Sequence, residues 1–339
     1  MLTLLYPAYE QLAVAEQPDP TPGPGEVRLK VSACGICGSE LEAFKNRSPR
    51  RVPPLILGHE FCGIVDDVGA GVSAFKTGDQ VISHALYSCG ECVRCRRGQI
   101  YLCANRRTYG MHLPGGYAQY VVAPIKSLVH WPEHMAPEAA AMTEPLANGV
   151  HAANLIAHLR PKKIAVMGAG PIGLLAQQAV QVMLGADTFV GDLIPERLDV
   201  AKRVGAQTII NSREVNFVDA VRDLTAGEGA DVVIDAVGSA ATKRLSIAAT
   251  RPGGTAVWLG LCENTASLET FDITLAEKAI FGSYAATLDE VRQSRDLIAN
   301  SQIDATSWIK QFPLADGVTA FERMLAAEGD DIKAILRPH

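Results

Sequence analysis

Lys163-Ile-Ala-Val-Met-Gly168-Ala-Gly170-Pro171-Ile172-Gly173 decides the fold of the second half of this 339-residue chain. A short apolar run passes at once into G-x-G-x-x-G, and an apolar segment, 174–183, follows with helical character. Strand, glycine turn and helix in that order form the cradle for a dinucleotide. Gly168 permits the tight turn, Gly170 lets backbone approach a pyrophosphate, and Gly173 lets helix and strand pack closely. The helix N-terminus favours the anion. The glycine motif alone is weak, and its setting strengthens it. Thr188-Phe-Val-Gly-Asp192 is a second apolar strand that ends in an acid, about 20 residues on, as such folds require. Asp192 can accept hydrogen bonds from an adenosine ribose and repels a 2′-phosphate, which predicts NAD over NADP. The other reading of Asp192 is an acid that merely ends a strand. Pro171, Ile172 and Arg197 complete the expected cofactor contacts.

Working outward, the rhythm continues. Helices are expected at 196–204, 215–224 and 240–250, and strands at 208–211, 231–235, 255–260 and 278–283. Such alternation gives a doubly wound parallel sheet covered on both faces, an α/β fold. Helices at 288–299 and 317–327 and a strand at 332–336 close the chain. Towards the N-terminus the pattern changes. Residues 1–30 read as extended with a Pro/Gly-rich turn, 26–31 alternates as a half-buried strand, and 115–122 reads as another. Gly63, Gly69 and Gly78 fall at intervals that suit turns and bulges in a small β-barrel-like domain. Residues 137–158 are Ala-rich and helical.

That N-terminal part carries metal-ligand chemistry. Cys34-Gly-Ile-Cys37-Gly-Ser39-Glu40 places a thiol in a glycine-rich turn, and Gly58-His59-Glu60 sets an imidazole beside a carboxylate. These are ligand types of a catalytic zinc, which needs about three protein ligands and one open position. Cys89, Cys92, Cys95 and Cys103 form C-x2-C-x2-C-x7-C, a set that can wrap one ion tetrahedrally. Structural zinc is expected there, with an iron–sulfur cluster as the other reading. Cys62 reads as a small core hydrophobe and Cys262 as a free thiol. By spacing alone Glu144 reads as an exposed carboxylate at a helix start. The loop 46–54 carries Arg47, Arg50 and Arg51. It reads as solvated, or else as a contact for an anionic substrate.

Composition narrows the classes. Hydrophobic content of 48% with 20% charged residues fits a globular enzyme with a sizeable core. A formal net charge of -6 leaves no basic excess for nucleic acid. No apolar run is long enough to span a bilayer. The start lacks a basic n-region, so a cytoplasmic chain is expected, with eight cysteines serving metals before disulfides.

The Gly58-His59-Glu60 signature with Gly63, Gly69 and Val72, and the four-cysteine lobe after it, resemble the zinc-dependent medium-chain alcohol dehydrogenases over nearly the whole chain. Glu144-Pro145 resembles the polyol branch of sorbitol and threonine dehydrogenases. The resemblance implies a GroES-like β-barrel catalytic domain split between 1–147 and 290–339 and clamped about a Rossmann domain at 148–289, with the active site in the cleft. It implies two zinc ions per chain. One is held by Cys37, His59, Glu60 and Glu144, the last directly or through water, and one by the cysteine lobe. It implies NAD-dependent interconversion of a secondary alcohol and a ketone. The substrate expected is a small polyol, sugar or related metabolite. Alternatives are a sugar-alcohol phosphate, an amino alcohol such as threonine, or a nucleotide-binding relative without this activity. Ser39 matches the proton-relay hydroxyl. Glu42 stands where many members carry a relay histidine, and either takes over that role or leaves it to cofactor ribose and water. Glu40 stands where Asp is usual. Lys333 matches a basic residue near the Glu60 position. The family also suggests homo-oligomers, dimers or tetramers.

Overall fold

The computed structural model describes residues 1–339. It contains two compact units, one of residues 1–144, 286–301 and 305–339, the other of residues 145–285 and 302–304. The second unit is the parallel sheet expected from the βα rhythm. Its six strands run in the order Thr208–Asn211, Asp187–Asp192, Lys163–Met167, Ala230–Asp235, Thr250–Trp258, Ala279–Gly282, all parallel. Lys163–Met167 and Ala230–Asp235 at its centre are near-continuous apolar runs, as a sheet covered on both faces demands. Helix Phe217–Leu224 lays Phe217, Val218 and Val221 against Ala165, Phe189 and Val233. That helix starts two residues later than its apolar pattern suggests. Asn216 caps it, its side chain accepting from Val218 N and Asp219 N.

The glycine turn is built as read. Helix Pro171–Leu184 begins directly after Gly170, whose side-chain position faces open space. A Cβ on Gly173 would overlap the Gly168 carbonyl, so only glycine lets this helix lie so close to the strand.

The first unit is organised on a seven-stranded sheet. Its path is Leu128–His130, Gln80–Ser83, Glu60–Val68, Glu26–Gly35, Lys333–Arg337, Ile309–Pro313, and Tyr120–Pro124 pairs separately with Glu26–Gly35. Antiparallel register places Cys34 opposite Phe61 and Gly35 opposite Glu60. The terminal strand adds Leu336 against Cys34. Leu29, Val31, Phe61, Val65, Tyr109, Tyr117 and Phe321 share the apolar core beneath.

Three local expectations change. Residues 1–30 are not merely extended, because Leu2–Ala8 and Gln11–Glu16 pair as an antiparallel hairpin. Ile309–Pro313, within a polar stretch, is a strand parallel to the terminal one. The strand expected at 115–122 runs from Tyr120 to Pro124. Gly115, Gly116 and Tyr117 instead donate their N–H groups to the carbonyls of Ile56, Gly58 and Leu57. Gly58 has φ +99, and a Cβ there would press on Tyr117 and on Cys34 Sγ.

These contacts separate two glycines of one motif. Gly173→Ala is expected to lower thermal stability by at least the roughly 1–3 kcal/mol of an overpacked core. Gly170→Ala is expected to leave the unfolding midpoint nearly unchanged and to weaken dinucleotide binding. Unfolding scans and NADH fluorescence titration check both.

Candidate metal and dinucleotide sites

Helix Gly38–Lys45 carries the first group of residues. Cys37 is its N-cap and Glu40 closes a capping box, the Cys37 N–H donating to Glu40 Oε2 at 3.2 Å. This short helix has little stability of its own, and the cap fixes its start. Glu40 is fully buried. Its Oε1 accepts from Gly58 N at 2.8 Å and from His59 Nδ1 at 2.9 Å, and the Tyr117 hydroxyl donates to Oε2. Burial pushes the Glu40 carboxyl up, but His59, Arg51 and Tyr117 outweigh it and bring it down to about 2. An ionised Glu40 makes Nδ1 the protonated nitrogen of His59 and leaves Nε2 for a ligand, the arrangement by which an outer carboxylate orients a metal-bound histidine.

Cys37 Sγ, a His59 ring nitrogen and a Glu60 carboxylate oxygen lie within 4.8 Å of one another. His59 and Glu60 are buried and Cys37 is half-buried. Thiolate, imidazole and carboxylate converging at that spacing fit a zinc ion with bonds of about 2.0–2.3 Å. Glu60 also pairs with buried Lys333, whose Nζ donates to Ile36 O at 2.9 Å. Removing one partner of such a pair costs roughly 3–5 kcal/mol. Glu144 is buried in the first turn of helix Thr143–Ile156 and stands outside the three-residue cluster. It is not the exposed carboxylate that spacing suggests. Burial, reinforced by Glu60 and opposed by His59, raises its carboxyl to about 7. Ser39 Oγ lies 3.3 Å from Cys37 Sγ. Glu42 lies one turn further, half-buried, accepting from Asn46 Nδ2 at 3.1 Å.

The lobe cysteines are all free thiols. Their sulfurs stand 3.5 Å apart for Cys92–Cys95 and Cys89–Cys103, and 3.9 Å apart for Cys89–Cys95 and Cys92–Cys103. Four sulfurs at the corners of a tetrahedron with bonds of about 2.3 Å stand about 3.8 Å apart. The set fits one zinc, and the spacing is far too long for disulfides. Backbone N–H groups, foremost that of Cys95, draw the Cys92 thiol down to about 6, toward the thiolate a metal takes.

In the other unit, Asp192 accepts from Ala169 N at 2.6 Å and Ile194 N at 2.9 Å. This clamps the second strand end to the glycine turn. A carboxylate has about four acceptor positions, so room for ribose hydroxyls remains. Gly170 offers no side-chain cap to the helix behind it, which leaves first-turn N–H groups for an anion. Ile172 and Gly173 lie in that turn, and Arg197 lies in the first turn of helix Pro195–Arg203.

One arginine of the 46–54 loop is placed otherwise than the sequence suggests: Arg47 is exposed as read, but Arg51 is not. Arg47 Nε donates to Glu10 at 2.7 Å, and Arg51 is buried. Tyr117, read only as a strand residue, reaches Glu40. The paired glycines before it were the one signal of that close approach.

Without metal, protons gather at His59 and Glu144. Burial disfavours His59 carrying charge, yet Glu40 and Cys37 raise its pKa well above the ordinary value, and Glu144 titrates near 7. A metal must displace these protons. Affinity of this site for zinc, measured by chelator competition, is therefore expected to fall as pH drops through about 7 and to release protons on loading in weak buffer.

Comparison with known proteins places these sites in a family. Residues 23–133 match the family described as alcohol dehydrogenase GroES-like domain, and residues 171–300 match that described as zinc-binding dehydrogenase. D-arabitol-phosphate dehydrogenase of Enterococcus avium is 35% identical over 97% of this chain and 95% of its own length. L-threonine 3-dehydrogenase of Saccharopolyspora erythraea is 34% identical over 92% of each. A crystal structure described as a short chain alcohol dehydrogenase (rspB) from E. coli CFT073, complexed with NADH, superposes with a TM-score of 0.91 at 29% identity over 99% of each chain. Sequence, fold and donor set agree, and the chain belongs to the GroES-like, zinc-binding alcohol dehydrogenase family.

Proposed function

We propose that this protein oxidises a secondary alcohol of a polyol, sugar or related hydroxylated metabolite with NAD⁺. The observation that carries this reading is the convergence of Cys37, His59 and Glu60 beside the Ser39 hydroxyl, in a chain that also has the glycine cradle and Asp192. Cys37, His59 and Glu60, with Glu144 directly or through water, would hold zinc, and the four lobe cysteines a second ion. Zinc supplies a Lewis acid that favours the ionised form of an alcohol oxygen, and NAD⁺ supplies the hydride acceptor. The chain's own groups prepare both. Glu40 keeps His59 in one tautomer, and Lys333 holds Glu60. Ser39 Oγ is the hydroxyl placed to take the substrate proton. Glu42 carries it onward to water, or cofactor ribose does so in its place. Ala169 and Asp192 shape the adenosine end.

The pairing of Arg47 with Glu10 and the burial of Arg51 leave the loop without a three-arginine phosphate clamp. That supports an uncharged polyol or sugar. The name of the Enterococcus relative supports the second reading, a sugar-alcohol phosphate, and that of the Saccharopolyspora relative an amino alcohol. A homo-oligomer, dimer or tetramer, is supported by Phe271 and Leu275, 76% and 82% exposed, just before the edge strand Ala279–Gly282. No helix is long and apolar enough to cross a membrane, in keeping with a cytoplasmic enzyme.

NADH formation on a panel of pentitols, hexitols, sugar-alcohol phosphates, threonine and butanediol tests the substrate. Turnover of an uncharged polyol, abolished by a zinc chelator, is expected. Preference for a phosphorylated substrate promotes the second reading, and silence across the panel overturns both. Asp192→Ala is expected to cut kcat/KM for NAD⁺ about tenfold or more and to raise use of NADP⁺. An unchanged ratio of the two removes Asp192 from cofactor choice.

A further inference from the structure

Arg51 is only 6% exposed, although it belongs to a loop that reads as solvated. Its guanidinium is spread over two segments. Nε donates to Gly110 O at 3.2 Å, Nη1 to Ser39 O at 2.8 Å and Nη2 to Ser39 Oγ at 3.2 Å. None of these partners is a carboxylate, so the contacts serve direction more than charge neutralisation. A guanidinium has donors only. Towards Arg51, Ser39 Oγ must therefore act as acceptor, and its hydrogen must point elsewhere. The acceptor within reach is Cys37 Sγ, 3.3 Å away, which also receives the Ser39 N–H at 3.5 Å. A serine in the first turn of a helix ordinarily chooses among rotamers and local backbone partners. Here Arg51 removes that choice by binding the carbonyl and the hydroxyl of the same residue.

We propose that Arg51 is a positioning residue that acts through Ser39, turning its hydroxyl onto the Cys37 sulfur in the resting site and fixing the oxygen that a substrate proton meets; in turnover the hydroxyl hydrogen leaves the sulfur for the next acceptor as the substrate proton arrives. The kinetic part rests on the dehydrogenase reading, and the hydrogen-bonding part does not. The rigid fork matters as well as the charge, because lysine cannot bind two atoms of one residue in that plane.

Cobalt(II) in place of zinc gives a test that needs no substrate. A hydrogen bond to a thiolate withdraws density from sulfur, so its loss moves the sulfur-to-cobalt charge-transfer band to longer wavelength. The lobe cysteines are common to all variants and cancel in difference spectra. Arg51→Met is expected to shift the band to longer wavelength, as Ser39→Ala does. The double variant is expected to shift it no further than Ser39→Ala alone, the non-additivity of two residues acting as one unit. A band unmoved by Arg51→Met, or shifts that add, overturns the proposal. Should Arg51→Met fail to fold, Arg51→Lys keeps the charge without the fork, and the same shift is expected. An unmoved band there also overturns it. With an alcohol from the panel that is turned over, Arg51→Met is expected to lower kcat about tenfold with KM little changed, and to cost nothing further in the Ser39→Ala background. Additive losses assign Arg51 a merely structural role. If no alcohol is turned over, the dehydrogenase reading falls, and the cobalt spectra still decide this one.

Discussion

A single buried carboxylate, Glu40, ties the first unit's site together. Its two oxygens accept from Cys37 N, Gly58 N, His59 Nδ1 and the Tyr117 hydroxyl. Those donors come from three separate stretches of chain. One is the helix turn that carries Cys37, the second is the loop that leads into strand Glu60–Val68, and the third is the glycine-linked segment at 115–117. An isolated buried carboxylate is strongly disfavoured. Four donors make the charged form the stable one, against the effect of burial. The sign of the consequence is set by the depressed pKa. Glu40 contributes stability that is present above the ordinary value of 4.5 and is lost as pH falls through about 2.

Charge accounting explains why the same cluster suits a divalent metal. Cys37 as thiolate, Glu40, Glu60 and Glu144 bring negative charge, and Arg51 and Lys333 return part of it. What remains is offset either by protons or by a cation. Without metal, protons do it: His59 holds one firmly, and Glu144 holds one near neutral pH. In the proposed site a dication would replace both, and Lys333 already holds Glu60 while Glu40 already holds His59. The site is thus preorganised by groups that need not touch the metal.

Much of this was legible in the sequence because the decisive residues have narrow chemical tolerance. Gly173 cannot be replaced without striking Gly168, so its spacing is diagnostic. The four lobe cysteines have almost no other use at that spacing, and the parallel strands announce themselves as apolar runs. The hairpin at Leu2–Ala8 and Gln11–Glu16 was harder to read. Its second strand is mostly exposed, so no strong hydrophobic alternation marks it. Ile309–Pro313 gains its partner only when Lys333–Arg337, more than twenty residues on, returns beside it. The burial of Arg51 was hidden for a related reason. Charge in a proline-bounded loop ordinarily means solvent, and only the approach of Gly110 and Ser39 makes a closed polar pocket for it.

Glu40 also shows how one added methylene is absorbed. The family usually places the shorter Asp here. In this chain the longer acid reaches the His59 ring and still serves as the third residue of a capping box. Its second oxygen extends to the Tyr117 hydroxyl. Tyr117 reaches that point because Gly115 lets its segment run against Leu57 and Gly58, Gly116 lets it pass Phe61, and Gly58 has no side chain to block the ring. Exchange of Glu40 for Asp would thus do more than shorten one bond. It would leave a buried phenol and a helix-cap N–H competing for a carboxylate that can no longer reach both while holding His59. Glu40 and Tyr117, joined by a hydrogen bond, and Arg51, bound to Ser39, therefore all act on the helix turn that carries Cys37. Tyr117 acts there through Glu40, and Arg51 through the carbonyl and hydroxyl of Ser39.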